Sequence, residues 1–206
     1  MTSYTRADSA RDQALIAAAG RGDDTAVKKL LGEGASVKAR DGRGRTALLA
    51  ATQENHVEAA RLLIAAGSDV NAKDNMGDSP YLYAGAEGRN EILKMTLAAG
   101  ADLGSLNRYG GTALIPAAHH GHPETVKILL DTAIDKDHVN KLGWTALLEA
   151  IILGDGGPVH TEIVRLLVEA GANVNHADRD GVTPLAHARR RGFAGMERLL
   201  TAAGAH

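Results

Sequence analysis

The sequence predicts an all-α fold, an α-solenoid of helix–turn–helix units joined by hairpin-like turns. Two observations carry this expectation. Threonine or serine recurs with a period of 33, at Thr46, Ser79, Thr112 and Thr145. Glycine follows at a constant offset, so that Gly67, Gly100 and Gly204 stand equally far downstream of Thr46, Ser79 and Thr183. A period of this size marks a repeat array in which no unit can bury its own apolar face, so that stacking builds the core.

The register extends to both ends. Counting back one period from Thr46 places a degenerate first repeat at Gln13, and Gly34 follows it at the same offset. The last anchor, Thr183, stands five positions further from Thr145 than the period requires, and the surplus falls inside "LGDGGPVHTEIV" at 153–164. Six repeats result, over about 12–40, 41–73, 74–106, 107–139, 140–177 and 178–206. Together they read as one solenoid over 12–206, preceded by a flexible segment over 1–11.

Within a repeat the elements follow in order. The Thr or Ser hydroxyl is placed to cap the backbone N–H groups of a first helix. Leucine and alanine then recur on one face, as in Leu48 and Ala51. Asparagine or glycine breaks that helix at Asn55, Gly88 and Gly121. A second helix carries an apolar stripe, Val57, Ala60, Leu62 and Leu63 in one repeat, Ile163, Val164, Leu166 and Leu167 in another. A left-handed glycine ends it. The connector, of the "DVNAKDNMG" type, reads as a hairpin-like turn.

The period of 33, with "G-x-T-P-L" (Gly181, Thr183, Pro184, Leu185), "G-H-P-E-T-V" (Gly121 to Val126) and "G-A-N-V-N" (Gly171 to Asn175), resembles the ankyrin repeat. The resemblance covers roughly residues 12–206. It implies an α-solenoid with β-turn fingers and a concave face of fingers and first helices, of a kind that usually binds other proteins and is rarely an enzyme. Three departures coincide in repeats four and five. The second helix of repeat four lacks its glycine, having Ala133 and Ile134. The finger after it, "IDKDHVNKLGW", puts Lys136 where Val70 and Val174 stand, so a non-standard finger is expected. Residues Asp155, Gly156, Gly157, Pro158 and Val159 are extra, and are expected to lengthen the loop between the two helices of repeat five.

Composition excludes several chemistries. The net charge is -2 and aromatics make up 3%, which leaves neither the basic footprint nor the stacking platform of a nucleic-acid binder. Without cysteine there is no disulfide, thiolate site or cysteine nucleophile. No apolar run approaches a membrane span. The N-terminus lacks an apolar leader, so the expected compartment is cytoplasmic for the chain as it stands, and exported if a leader once preceded it. The glycine-rich stretch is no P-loop, for it lacks the lysine and the preceding strand. "HHGH" at 119–122 looks like a metal box, yet His122 shares its register with His56 and His160, which suits a structural hydrogen bond. A zinc site from His119 or His120 with Glu87 has no fixed ligand spacing behind it. Glu149 is expected to edge the groove, solvated or in contact with a partner.

No cofactor, no metal and no catalytic residue is therefore expected. The expected function is non-catalytic: a monomer binding a protein or peptide in its concave groove, centred on repeats four and five. Finger tips and first-helix ends supply the surface: Met76, Glu87, Arg108, Tyr109, His119, His120, Leu142, Trp144, Ile152 and Leu153. Aromatic and arginine residues dominate binding energy at such surfaces. Asp155, Gly156, Gly157 and Pro158 would form a lip, or the loop would cover Ile152 and Leu153. The alternatives are a small-ligand, metal or catalytic site built from His119, His120, Glu149 and Asp155, and self-association through the same patch.

Overall fold

The structure, a computed structural model, describes residues 6–206. Every regular element among them is an α-helix. In chain order these are α1 (Arg6–Arg21), α2 (Asp24–Gly32), α3 (Ala47–Gln53), α4 (Val57–Ala65), α5 (Pro80–Ala86), α6 (Asn90–Ala98), α7 (Leu114–His119), α8 (Pro123–Leu130), α9 (Ala146–Ile152), α10 (Pro158–Glu169), α11 (Pro184–Arg190) and α12 (Ala194–Ala202). Each repeat is thus a helix pair, and a finger leads from one pair to the next.

Two compact units divide these elements. The first runs to Ala84 and takes in Glu91–Asp102; the second holds Gly85–Asn90 and Leu103–His206. In the first, α1 packs on α2 and α3, and α4 on α2 and α3. Leu15, Ala19, Leu48, Leu49, Ala60 and Leu63 are fully buried there. In the second, α7, α9 and α11 form one layer and α8, α10 and α12 the other. Leu147, Leu148, Ile151, Val164 and Leu167 fill the space between. Alanines at the contacts (Ala18, Ala51, Ala118, Ala150, Ala188) let the short helices approach closely, while leucines supply the buried apolar area.

The flexible segment expected over 1–11 is corrected where the structure describes it. Residues 1–5 lie outside the described residues, but 6–11 are helical. Arg11 pairs with Asp8 and donates to the Glu33 carbonyl (2.5 Å), and the buried Asp12 accepts from the Ser36 N–H (2.7 Å). Those contacts give the first turns of α1 partners that a free tail would lack.

Capping follows the expected pattern at four of five anchors. Thr46, Ser79, Thr145 and Thr183 accept from the N–H three residues on, at 3.2–3.3 Å. Thr112 does not, and its buried hydroxyl has no partner among the described residues. The cause is Pro116. In the other repeats the residue four after the anchor closes the first turn, as Ala50 N–H does on the Thr46 carbonyl (3.0 Å). Proline has no N–H to give. The turn tightens to Ile115 N–H on the Thr112 carbonyl, and α7 starts one residue late.

Repeat four ends its second helix without glycine. Gly34, Gly67, Gly100, Gly171 and Gly204 all take positive φ at this point. In repeat four the Thr132 hydroxyl serves instead, donating to the Leu129 carbonyl (2.6 Å) and accepting from Ile134 N–H (3.2 Å). The finger that follows is standard, contrary to expectation. Asp135 accepts from Asp137 N–H (3.0 Å) as Asp69 does from Asn71 N–H (2.9 Å). Lys136 leaves this turn intact because the carboxylate of Asp135, rather than the side chain after it, closes it.

The five inserted residues do not all join the loop. Pro158 and Val159 begin α10, with Pro158 at its first position, where the missing N–H costs nothing. Gly154 stands in register with Gly121, but the left-handed glycine here is Gly156 (φ 73°). A side chain at Gly154 would strike the Ala150 carbonyl oxygen, and one at Gly156 the ring of Phe193. The loop therefore lies against repeat six.

Candidate functional site

The site begins with the fingers. Asp41, Asp74, Asn107, Asn140 and Asp178 each stand five residues before an anchor Thr or Ser. In each, one side-chain oxygen accepts from the N–H groups two and four residues ahead; for Asn140 these are Leu142 (2.9 Å) and Trp144 (3.1 Å). A glycine in the left-handed region completes each turn, Gly143 in this finger. The turn, closed by this side chain, fixes the backbone of the two tip residues. Sequence reasoning missed this device, although Asp or Asn at a constant offset from the anchor was there to read.

Neighbouring fingers of the second compact unit are tied together. Lys141 N–H donates to the Tyr109 carbonyl (3.0 Å), and Lys141 Nζ to the Arg108 carbonyl (2.9 Å). Arg179 donates to the Lys141 carbonyl (2.6 Å). The ties set Tyr109 and Leu142 at equivalent places on adjacent tips, 57% and 49% exposed. Arg108 lies over the Tyr109 ring, 5.1 Å from its centroid. Trp144 and Ile152 are half-buried, and Leu153 is 42% exposed. The loop thus leaves Leu153 open. Met76, an exposed finger tip, belongs to the first compact unit.

The loop expected as a lip is tied to repeat six. Arg191, stacked on the Phe193 ring at 4.7 Å, donates to the carbonyls of Ile152 (2.8 Å) and Gly154 (2.9 Å). Gly156, Gly157 and Pro158 line a cavity of about 590 Å³ with Thr161, Arg165 and residues of α12. The loop turns that way because Arg191 pins its carbonyls and Gly156 seats on Phe193. Asp155 points to solvent, accepting from Gly157 N–H and bonded to His160; these hold its carboxyl below the ordinary range.

The histidines are structural ties as well as surface. His160 Nε2 bonds the His119 carbonyl (3.0 Å), joining repeats four and five. His56 and His122 pack their rings beneath Gly22 and Gly88, where a Cβ would strike them. His120 Nδ1 bonds the Ala86 carbonyl (2.8 Å) and lies 3.6 Å from Glu87. Among the described residues no group of three or more His, Asp or Glu side chains is arranged to hold a metal ion. The carboxylates here face separate histidines.

Glu149 corrects the expectation of a solvated edge. It is 6% exposed, and its Oε1 accepts from Asn140 Nδ2 (2.7 Å). The other oxygen faces His119 Nδ1 at 3.8 Å. Burial pushes its pKa up to about 7, against the Asn140 hydrogen bond and the field of His120. Burial, then His120 and His160, hold His119 below the ordinary histidine value. The pair is thus a buried carboxyl that titrates near neutrality beside an imidazole that resists charging. At 3.8 Å the two are past hydrogen-bond reach, and no nucleophile among the described residues is bonded to the carboxyl.

A model of the family described as ankyrin repeats, in three copies, matches residues 14–105, 81–178 and 135–206. The chain is similar to the crystal structure of an ankyrin repeat domain from Acinetobacter baumannii AYE: 58% identity over 93% of this chain and 98% of that one, with a TM-score of 0.91. It is similar too to the solved ankyrin repeat protein EF0377, at 42% identity over 91% and 96% of the two chains, TM-score 0.88. A curated relative, the putative ankyrin repeat protein YahD of Escherichia coli strain K12, is 53% identical over 57 residues. That match spans 28% of either protein.

Proposed function

Given that this chain belongs to the ankyrin-repeat family, a general protein–protein interaction fold, we propose that it is a non-catalytic binding module. Its partner is a protein or peptide segment, docked on the fingers and first-helix ends of repeats four and five. The observation that carries this reading is the run of outward apolar side chains there. Tyr109 and Leu142 are held on adjacent tips, Leu153 is exposed at the end of α9, and Trp144 is half-buried. An exposed apolar cluster on a rigid frame is costly in water and is rewarded only when covered. Arg108, His119, His120, Glu87 and Ile152 form its polar and half-buried surround. The proposed surface does not draw on Met76, which belongs to the first compact unit.

Affinity capture from the source organism tests this, comparing the wild type with Trp144→Ala and Tyr109→Ala. Each substitution is expected to weaken the complex by roughly 2 kcal/mol, on the order of thirtyfold, with thermal unfolding little changed. An identical set of captured proteins at identical strength from all three would overturn the assignment.

A further inference from the structure

The tips that carry Tyr109 and Leu142 also carry charge. The residues just before them are Arg108 and Lys141, and Arg179 holds the same place in the next finger. All three are exposed. Earlier fingers have Gly42 and Asn75 at this position. Asn75 still ties its finger to the one before, through its N–H on the Arg43 carbonyl (3.0 Å), as the Lys141 N–H does on Tyr109. The backbone tie therefore needs no cation. The carbonyls that accept from Lys141 Nζ and from Arg179 leave the positive charges in place and hold the head groups still. Among the described residues neither Lys141 nor Arg179 is ion-paired with a carboxylate.

The acids of the same face do not offset this row. Glu149 is buried on Asn140, Asp178 faces His187 at 2.7 Å, and Glu87 faces His120 at 3.6 Å. Asp180, on the last tip, is exposed. Other exposed carboxylates of this compact unit stand on a second helix and the turn after it, at Glu124, Asp131 and Asp135. The chain as a whole carries a net charge of -2, so the cationic tips are set apart from the rest of its surface. We infer that the protein segment docking on repeats four and five is acidic, with Asp or Glu side chains along Arg108, Lys141 and Arg179 and an apolar residue against Tyr109 and Leu142. The inference rests on the docking surface proposed above and names the chemistry of its partner. Complementary charge of this kind speeds encounter and rejects wrong partners, while the apolar contact supplies most of the affinity. A second copy bound through the same face fits poorly, because a two-fold contact sets the cationic row against itself.

A displayed library of random peptides, selected on the purified chain and followed by surface plasmon resonance, tests this. The wild type is expected to enrich peptides that carry Asp or Glu beside an apolar residue, and added salt should weaken them. Lys141→Glu should weaken a selected peptide about tenfold, chiefly through slower association, and changing that peptide's acid to lysine should restore binding to the variant. Asp180→Asn leaves every tie between these fingers in place and should tighten the original peptide about twofold. Peptides that depend on Trp144 and Tyr109 but carry no acid, or that bind Lys141→Glu and Asp180→Asn as they bind the wild type, would overturn the inference alone. A library yielding no peptide sensitive to Trp144→Ala or Tyr109→Ala would overturn the docking surface itself. Single-stranded DNA that binds more tightly than every selected peptide would assign the row to nucleic acid and refute an acidic protein segment. Sedimentation showing a dimer that Leu142→Ala dissociates would assign the surface to a second copy, and refute it as well.

Discussion

Replacing Glu149 by glutamine is expected to make the protein more stable at alkaline pH and no different at acid pH. The carboxyl titrates near 7 in the fold, against an ordinary value of 4.5. A raised folded pKa means that the folded state holds the proton more tightly than the unfolded chain. The stability this confers is fully present below about pH 4.5 and is lost as pH rises through 7. At about 1.4 kcal/mol per pKa unit, the loss has a ceiling of roughly 3 kcal/mol. Glu149 is 6% exposed, so solvent screening removes little of it. Glutamine keeps an oxygen to accept from Asn140 Nδ2 and carries no charge to desolvate. At pH 8, Glu149→Gln should therefore gain roughly 1–3 kcal/mol, or several degrees in Tm for a chain of this size. Urea and thermal unfolding followed by circular dichroism from pH 4.5 to 8.5 measure it. Carbon-detected NMR titration of the Glu149 carboxyl supplies a direct check. A variant less stable than the wild type by a pH-independent amount, or a carboxyl titrating near 4.5, would refute the reasoning.

Three further outcomes are expected. Asn140→Ala removes two backbone acceptor bonds and the donor to Glu149, and should cost about 2–3 kcal/mol, with faster hydrogen exchange at Leu142 and Trp144. Arg191→Ala frees the Ile152 and Gly154 carbonyls and uncovers Phe193, so the 153–157 loop should lose exchange protection while global stability falls by about 1–2 kcal/mol. Tyr81→Phe removes a buried hydroxyl that has no hydrogen-bond partner among the described residues, and should raise stability by about 1 kcal/mol in the same unfolding assays; a loss instead would show that the hydroxyl is satisfied.

What the sequence by itself determined is whatever depends on residues a few positions apart. Four of the five anchor hydroxyls cap at a distance of three residues, the finger Asp or Asn reaches two and four ahead, and left-handed glycines end most of the helices. Such interactions recur with the period, so one alignment of the chain against itself reads the repeats, their boundaries and the outward positions of Tyr109 and Leu142. Pro116 was legible in principle, since a missing N–H is a local fact, yet its effect on Thr112 went unread. Only the tertiary structure decided the rest. The path of the 153–157 loop depends on Arg191 and Phe193, which belong to the next repeat. The state of Glu149 depends first on its burial, and then on Asn140 and on the field of His120, in the repeat before. Burial and desolvation are set by what packs from outside the repeat, and that information is spread over neighbours that no single period contains. For that reason a glutamate that reads as a solvated edge in the sequence becomes, once the repeats stack, a buried acid that titrates near neutrality.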